Sequence, residues 1–300
     1  MKTGSGSTLI ADIGLLLLLL TLAALVIYRF ASRRLATRDD RRAFTSRYLF
    51  WPMIITAVMF VGQLLCYGGT RLLTENVPHH NFGTALDAAI PLIPFFIIFY
   101  LMAYLVVIFA PFYLAWIGGT ALTKKYFVSL VALFSISALI YLVAPNDVPH
   151  AWTPDVYAQH TGFFDRLLQF VYDADAPSNG LPSLHNAHIW LIFFIILFND
   201  TSPRRIMHLL PVGVLGVLIS LSTLFCKEHY LVDVLFSISL VALLAFIARR
   251  LFERLSHREG LRHFSSQQRS GHATGDRGVE ESNAPVPVSN DSKKPPKPTL

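Results

Sequence analysis

Charge is what this chain has least of: 15% of its 300 residues are charged, where an ordinary soluble domain carries about a quarter. With 53% hydrophobic residues and a mean hydropathy of +0.50, so little charge excludes a water-soluble globular enzyme. Cysteine is scarce as well. Only Cys66 and Cys226 are present, which excludes a disulfide-built secreted scaffold. One bridge between them is the most the sequence allows, and two small apolar thiols at helix ends is the plainer expectation. An internal repeat is also missing, although repeated halves with acids near the bilayer midplane are common among transporters.

What the chain does have is long apolar runs, at about 8–30, 49–67, 91–116, 126–144, 184–199, 206–225 and 230–248. A helix needs about 17–25 apolar residues to cross the hydrocarbon core, so the expected fold is an all-α integral membrane protein of about seven transmembrane helices. The run after Leu184 is the shortest, which puts its first turn near the interface. The first run has only Lys2 before it, a long apolar core and its arginines after it, a pattern that fits a retained helix better than a cleaved signal.

Basic residues set the expected orientation, because short cytoplasmic loops collect them. Arg29, Arg33, Arg34, Arg38, Arg41, Arg42 and Arg47 follow the first run, Lys124 and Lys125 the third, Arg204 and Arg205 the fifth, and Arg249, Arg250 and Arg254 the seventh. The alternate connections hold only Arg71, Arg166 and Lys227. The N-terminus is therefore expected outside and the C-terminal tail in the cytoplasm, in a multi-pass protein of the cell inner membrane. The basic excess belongs to lipid headgroups at helix ends and calls for no nucleic-acid partner. Three segments follow: 1–48, a transmembrane helix and basic cytoplasmic loop; 49–250, the catalytic transmembrane domain; and 256–300, a polar tail without apolar periodicity that is expected to be disordered.

Ionisable residues beside membrane spans are costly and are functional candidates by default. Apart from Asp12 and the basic flanks they gather in two stretches, "LPSLHNAHIW" with His185 and His188, and "CKEHYLVDVL" with Lys227, Glu228, His229 and Asp233. Both fall on the extracytoplasmic side. His229 and Asp233 are four apart and share a helical face if the last helix begins near Glu228. An aspartate so placed orients the imidazole and frees one ring nitrogen. Lys227 adds a cation, and the helix that starts after Pro182 turns N–H groups toward the same side, where an anion is stabilised. A nucleophile, an acid and an anion site together suggest phosphoryl transfer, in which the protein positions the groups and stabilises charge on the phosphoryl oxygens.

"PSLH" followed after about 40 residues by "KEHYLVD" resembles the second and third signatures of the type-2 phosphatidic acid phosphatase superfamily, Pro-Ser-Gly-His and Ser-Arg-x5-His-x3-Asp. The stretch is closest to the branch of inositol phosphorylceramide synthases, the inositol phosphotransferases, which carry Pro-Ser-Leu-His and a Lys-x-His-Tyr-x-x-Asp string. The resemblance covers roughly 130–250 and implies a six-helix lipid phosphatase-like core with no cofactor. It also implies a lipid phosphate as substrate, His229 as nucleophile forming a phosphohistidine, Asp233 as its support, and His185 as acid and base. Ser183 matches the signature serine, a hydrogen-bond donor to the phosphate. Two departures stand out: the first signature, Lys-x6-Arg-Pro, is absent from "YLVAPNDVPHAWTPD", and Thr223 stands where the third signature has arginine. Lys227 is expected to compensate, with Arg166 and His150 as weaker phosphate-binding candidates.

Blander expectations stand beside these. A metal on the histidines is disfavoured, since no cysteine or second carboxylate sits near and Lys227 would repel a cation. His188 is expected to pack within the bundle and Glu228 to face water at a helix start. "TGFFDRLLQFVYD" spaces its apolar residues as a helix capped by Thr161, either lying on the outer leaflet or packed as a lid. A seven-helix transporter or receptor is the competing class, and it needs no histidine–aspartate pair at this spacing.

Overall fold

The computed structural model describes residues 45–148, 161–174 and 177–275. Among them all regular structure is helical apart from two isolated bridges. Apolar composition dictates this: in a bilayer each backbone N–H must be paired within its own helix. The helices are α1 (Ser46–Thr74), α2 (Ala85–Ala89), α3 (Ile97–Val143), α4 (Phe163–Ala174), α5 (Leu184–Asn199), α6 (Arg205–Phe225) and α7 (Leu231–Gly275). The chain divides into a bundle that ends at Leu251 and a unit from Phe252 onward, and the site described below lies wholly in the first.

Helix α3 has 47 residues, about 70 Å at 1.5 Å per residue and more than twice the hydrocarbon thickness. It is two spans, divided at Gly119, where φ is +64° and ψ is −158°. In the second half, contacts with α1 advance together. The Lys124 ammonium lies 5.4 Å over the Trp51 ring, the Tyr126 hydroxyl meets Met59 Sδ at 3.7 Å, and the Cys66 thiol donates to the Phe134 carbonyl at 3.6 Å. In the first half the order inverts. Met59 and Phe60 share a cavity wall with Val107 and Ile108, whereas Tyr67 shares one with Leu101. Six spans thus match six of the seven expected runs; the first, 8–30, lies outside the described residues.

Glycine suits position 119 because φ +64° with ψ −158° is a region that other residues enter at a cost of about 1–3 kcal/mol, and a Cβ there would also press on Arg47, 2.8 Å from Nε. Gly119→Ala is expected to lower the thermal midpoint of the solubilised protein by several degrees. Gly69→Ala, whose new methyl would meet nothing within 4 Å, is the control.

The bundle has two chemically different ends. At one, Arg47 packs at Gly119, the Tyr113 hydroxyl meets His208 at 2.9 Å, and Arg250 stacks 5.1 Å from the Phe246 ring. At the other, three connections are laced together by backbone hydrogen bonds: His80 N–H to Pro145 O, 2.8 Å; Asp147 N–H to His80 O, 3.0 Å; and Asn179 N–H to Asn146 O, 2.8 Å. Asn146 Oδ1 then takes the Leu181 N–H at 2.8 Å, and the Tyr141 hydroxyl bonds the Pro182 carbonyl at 2.6 Å. These bonds aim the chain into α5.

Several expectations change here. Helix α7 begins at Leu231, later than Glu228, so His229 sits in the preceding turn. Glu228 is buried instead of facing water. Helix α7 also runs to Gly275, past Ser256 where the polar tail was expected to begin; no proline interrupts 231–275, and extending a helix is far easier than nucleating one. Cys66 and Cys226 are both free and buried, which keeps the plainer expectation of two unpaired thiols. Helix α4 packs Leu168, Val171 and Tyr172 against Ile97, Tyr100 and Cys226, while Phe163 and Phe170 face outward. Its first turn is held by the Asp165 carboxylate, which accepts the Gly162 N–H at 2.9 Å.

Candidate active site

Ser183 starts the site. Its backbone is extended, φ −69° and ψ 109°, and its hydroxyl oxygen caps α5 by accepting the Asn186 N–H at 3.5 Å, which meets one of the orphan donors of a helix start. The same oxygen takes Asn186 Nδ2 at 3.0 Å. Asn186 spans to α6 as well, with Nδ2 3.0 Å from Thr223 Oγ1 and Oδ1 accepting the Ser220 hydroxyl at 2.6 Å. Thr223, which stands where an arginine was expected, is fully buried in this network and presents no cation. The network fixes the rotation of α5, and thereby the direction of His185 one residue before Asn186.

The His185 ring packs 4.5 Å from Tyr100 and 5.3 Å from Tyr104, and its centroid lies 5.8 Å from that of His229. Two histidines more than forty residues apart in the chain are thus brought side by side, their rings tilted at 57°. Behind His229, Asp233 Oδ2 lies 3.6 Å from Nδ1 and accepts the Tyr230 N–H at 2.8 Å, so it caps α7 while facing the imidazole. The 3.6 Å gap exceeds a hydrogen bond, and catalytic pairs in unliganded enzymes often tighten only with substrate bound. Gly180 covers this carboxylate closely: a Cβ there would stand 3.2 Å from Asp233 Oδ2 and 2.6 Å from Val148.

A cavity of about 370 Å³ opens on the His229 side, lined by Asn81, Thr84, Asp87, Lys227, Tyr230 and apolar neighbours. Lys227 has φ +55°, a left-handed conformation that a non-glycine residue adopts only when its surroundings impose it. Its ammonium donates to the Asp87 carbonyl at 2.7 Å. Partial burial lowers the Lys227 pKa, and the nearby Asp87 charge works against that shift.

Sequence reading missed Asp87. Its carboxylate takes the Leu231 N–H at 2.7 Å, the Thr84 N–H at 2.9 Å and the Thr84 hydroxyl at 2.6 Å. Burial opposes its charge, but the Thr84 hydroxyl and these N–H groups outweigh burial and hold the carboxyl below its usual range. The readable signal was the Thr-x-x-Asp spacing of "TALD", a capping box. Of the remaining candidates, Arg166 is exposed on α4 and lines none of the cavities beside the two histidines. His150 lies outside the described residues.

Residues 70–248 match the family model of the PAP2 superfamily, more than half of the chain. The chain belongs to the PAP2 superfamily. Its all-helical, membrane-spanning architecture accords with that family's fold. Searches of curated proteins and of solved structures find no match. The matched span takes in both histidine stretches and the loops that carry Lys227 and Asp87.

Where a PAP2 first signature was sought, the structure has Asn146 and Asp147. Asp147 Oδ1 bonds His79 Nδ1 at 2.6 Å, and His79 Nε2 lies 2.9 Å from the Thr74 carbonyl. The Asp147 hydrogen bond, followed by that to Thr74, raises the His79 pKa above its ordinary 6.5, with partial burial opposing. A raised folded-state pKa means that the clamp contributes fully below the unfolded value and is lost as pH rises through the folded one. Protection of the amides over 75–82 and 145–148, taken relative to their intrinsic exchange rate at each pH, is therefore expected to fall as pH rises above 6.5, and Asp147→Asn should flatten that dependence.

Proposed function

We propose that this PAP2 superfamily member is an enzyme that transfers a phosphoryl or phospho-headgroup from a lipid donor through a phosphohistidine on His229. The observation that carries this reading is the facing pair His185 and His229, 5.8 Å apart, with Asp233 behind His229 Nδ1. With Nδ1 turned to the carboxylate, Nε2 is the nitrogen left for attack. Nε2 bonds to phosphorus as the donor P–O bond breaks, and His185 gives its proton to the leaving oxygen. An incoming hydroxyl then returns a proton to His185 as its oxygen bonds to phosphorus and the N–P bond breaks. Lys227 offsets the charge on the phosphoryl oxygens. Ser183 serves the phosphate through the helix start that it caps, since its own oxygen is buried and accepts from Asn186.

Headgroup transfer of the inositol phosphotransferase type is the form we favour over simple hydrolysis. The strings Pro-Ser-Leu-His and Lys-Glu-His-Tyr-Leu-Val-Asp support it. So does the cavity beside His229, where the carboxylate of Asp87, the amide of Asn81 and the hydroxyls of Thr84 and Tyr230 offer the hydrogen-bonding set that a polyol needs. The basic residues at the opposite end support an extracytoplasmic site.

Purified protein incubated with phosphatidic acid, a polyprenyl diphosphate or phosphatidylinositol, each with and without a diacylglycerol whose acyl chains differ in mass from the donor's, tests the reading. A new phosphodiester formed from phosphatidylinositol only when the alcohol is present is the expected result, and free phosphate alone would assign a phosphatase. Neither product from any donor would overturn the enzyme reading.

A further inference from the structure

His188 is a buried histidine that phosphoryl transfer does not use. It sits three residues after His185 on α5, on the same face and about 4.5 Å deeper along the helix axis, with its ring edge-on to Phe134 at 5.8 Å. It is 2% exposed. One ring nitrogen bonds the Leu184 carbonyl one turn back, while Nε2 is buried without a partner. A nitrogen that meets a carbonyl carries the proton, so Nδ1 is the donor and Nε2 presents a bare lone pair. A buried acceptor left unmet is costly.

That acceptor belongs to a cavity. Residues of α1 (Met59 and Leu64 among them), of α3 (Ala103, Tyr104, Val107 and Ile108) and of α5 (with His185 and His188) enclose about 290 Å³, at the lower limit of the roughly 300–1,000 Å³ of ligand pockets. Its walls are almost wholly apolar, and Leu64 and Tyr104 are also exposed on the outer surface of the bundle, so it opens toward the membrane. The polar cavity with Lys227 and Asp87 is a different one, lined by His229 and not by His185 or His188. The His185–His229 pair stands between the two.

Resting on the transferase reading above, we propose that this apolar cavity is the binding site of the lipid alcohol, whose hydroxyl donates to His188 Nε2. The chemistry selects that occupant. A bare lone pair repels an anionic phosphate and accepts from a neutral O–H; the apolar walls suit an acyl or alkyl chain; and the volume holds the hydroxyl end and first segment while the rest stays in lipid. A hydroxyl held there is one helical turn from His185; it leaves His188 Nε2 and turns its single proton to His185 as its oxygen bonds to phosphorus.

The test uses the full-length protein in phosphatidylcholine nanodiscs, a photoactivatable diacylglycerol, and competition by dioleoylglycerol or its acetate ester, which has the same chains and no hydroxyl. Cross-links are expected within 59–64 and 103–108, with the alcohol competing at least fivefold better than the acetate. His188→Phe should abolish that preference, and His188→Gln, which restores an acceptor, should recover it. Val107→Phe, which fills the cavity without touching His188, should reduce cross-linking severalfold. Equal competition by alcohol and acetate, or a preference that survives His188→Phe, overturns the proposal. Repeating the competition in His229→Ala separates the two readings. A preference that persists while the wild type shows no phosphate chemistry upholds the alcohol site and sinks the transferase; transfer without any preference sinks the alcohol site alone.

Discussion

His229→Ala is expected to abolish turnover, with a loss of about 10⁴-fold or more in kcat, the scale seen when a covalent nucleophile is removed. The imidazole forms the intermediate, so no neighbour substitutes for it: the His185 ring, packed between Tyr100 and Tyr104, has no carboxylate behind it. The fold should survive, since the His229 side chain has no hydrogen-bond partner at Nδ1 and the start of α7 is held by Asp233 on the Tyr230 N–H and by Asp87 on the Leu231 N–H. Transfer from radiolabelled phosphatidylinositol, alongside gel filtration and circular dichroism, measures both. A monodisperse, helical variant that keeps even a tenth of wild-type turnover would remove His229 from the mechanism. Acid-labile label trapped on the wild type and missing from the variant would support the phosphohistidine.

For His185→Ala the expected loss is about 10²–10⁴-fold, the usual worth of a general acid. It should depend on the leaving group. An alkoxide needs the proton that His185 supplies, whereas p-nitrophenolate leaves unaided, so p-nitrophenyl phosphate should lose far less than a lipid phosphate. Read as the pre-steady-state burst of leaving group, so that the later base step does not enter, equal losses on the two substrates would mean that His185 is not the general acid. The test is informative because Asn186, not His185, carries the hydrogen bonds to Ser183 and Thr223 that orient α5, so removing the imidazole leaves that network in place.

Local patterns were the most legible part of this chain. Six of the seven apolar runs became helices because a bilayer offers the backbone no other partners, and the starts of α5 and α3 fall within a few residues of where hydropathy and the prolines put them. Residue pattern put His185 and His229 on a shared membrane face, and the family resemblance implied that the two act in one site. Asp87 escaped notice because its role depends on a loop folding back on the Leu231 N–H, 144 residues away. Arg166 read as a phosphate candidate since it stood in the right loop, yet the apolar residues of α4 packed on Ile97 and Tyr100 leave its own side chain exposed.

The order of the residues was enough for the membrane class, the number of spans, the basic end and the two histidine stretches, all of which follow from composition and from spacing along one strand of chain. Three-dimensional packing alone decided that His185 faces His229 at 5.8 Å, that Asn186 replaces an arginine's neighbourhood with a neutral amide network, and that the histidine pair divides a polar cavity from an apolar one. Those are contacts between residues from 37 to more than a hundred positions apart, and they arise only when side chains from separate helices compete for the same space. No periodicity along the chain encodes them.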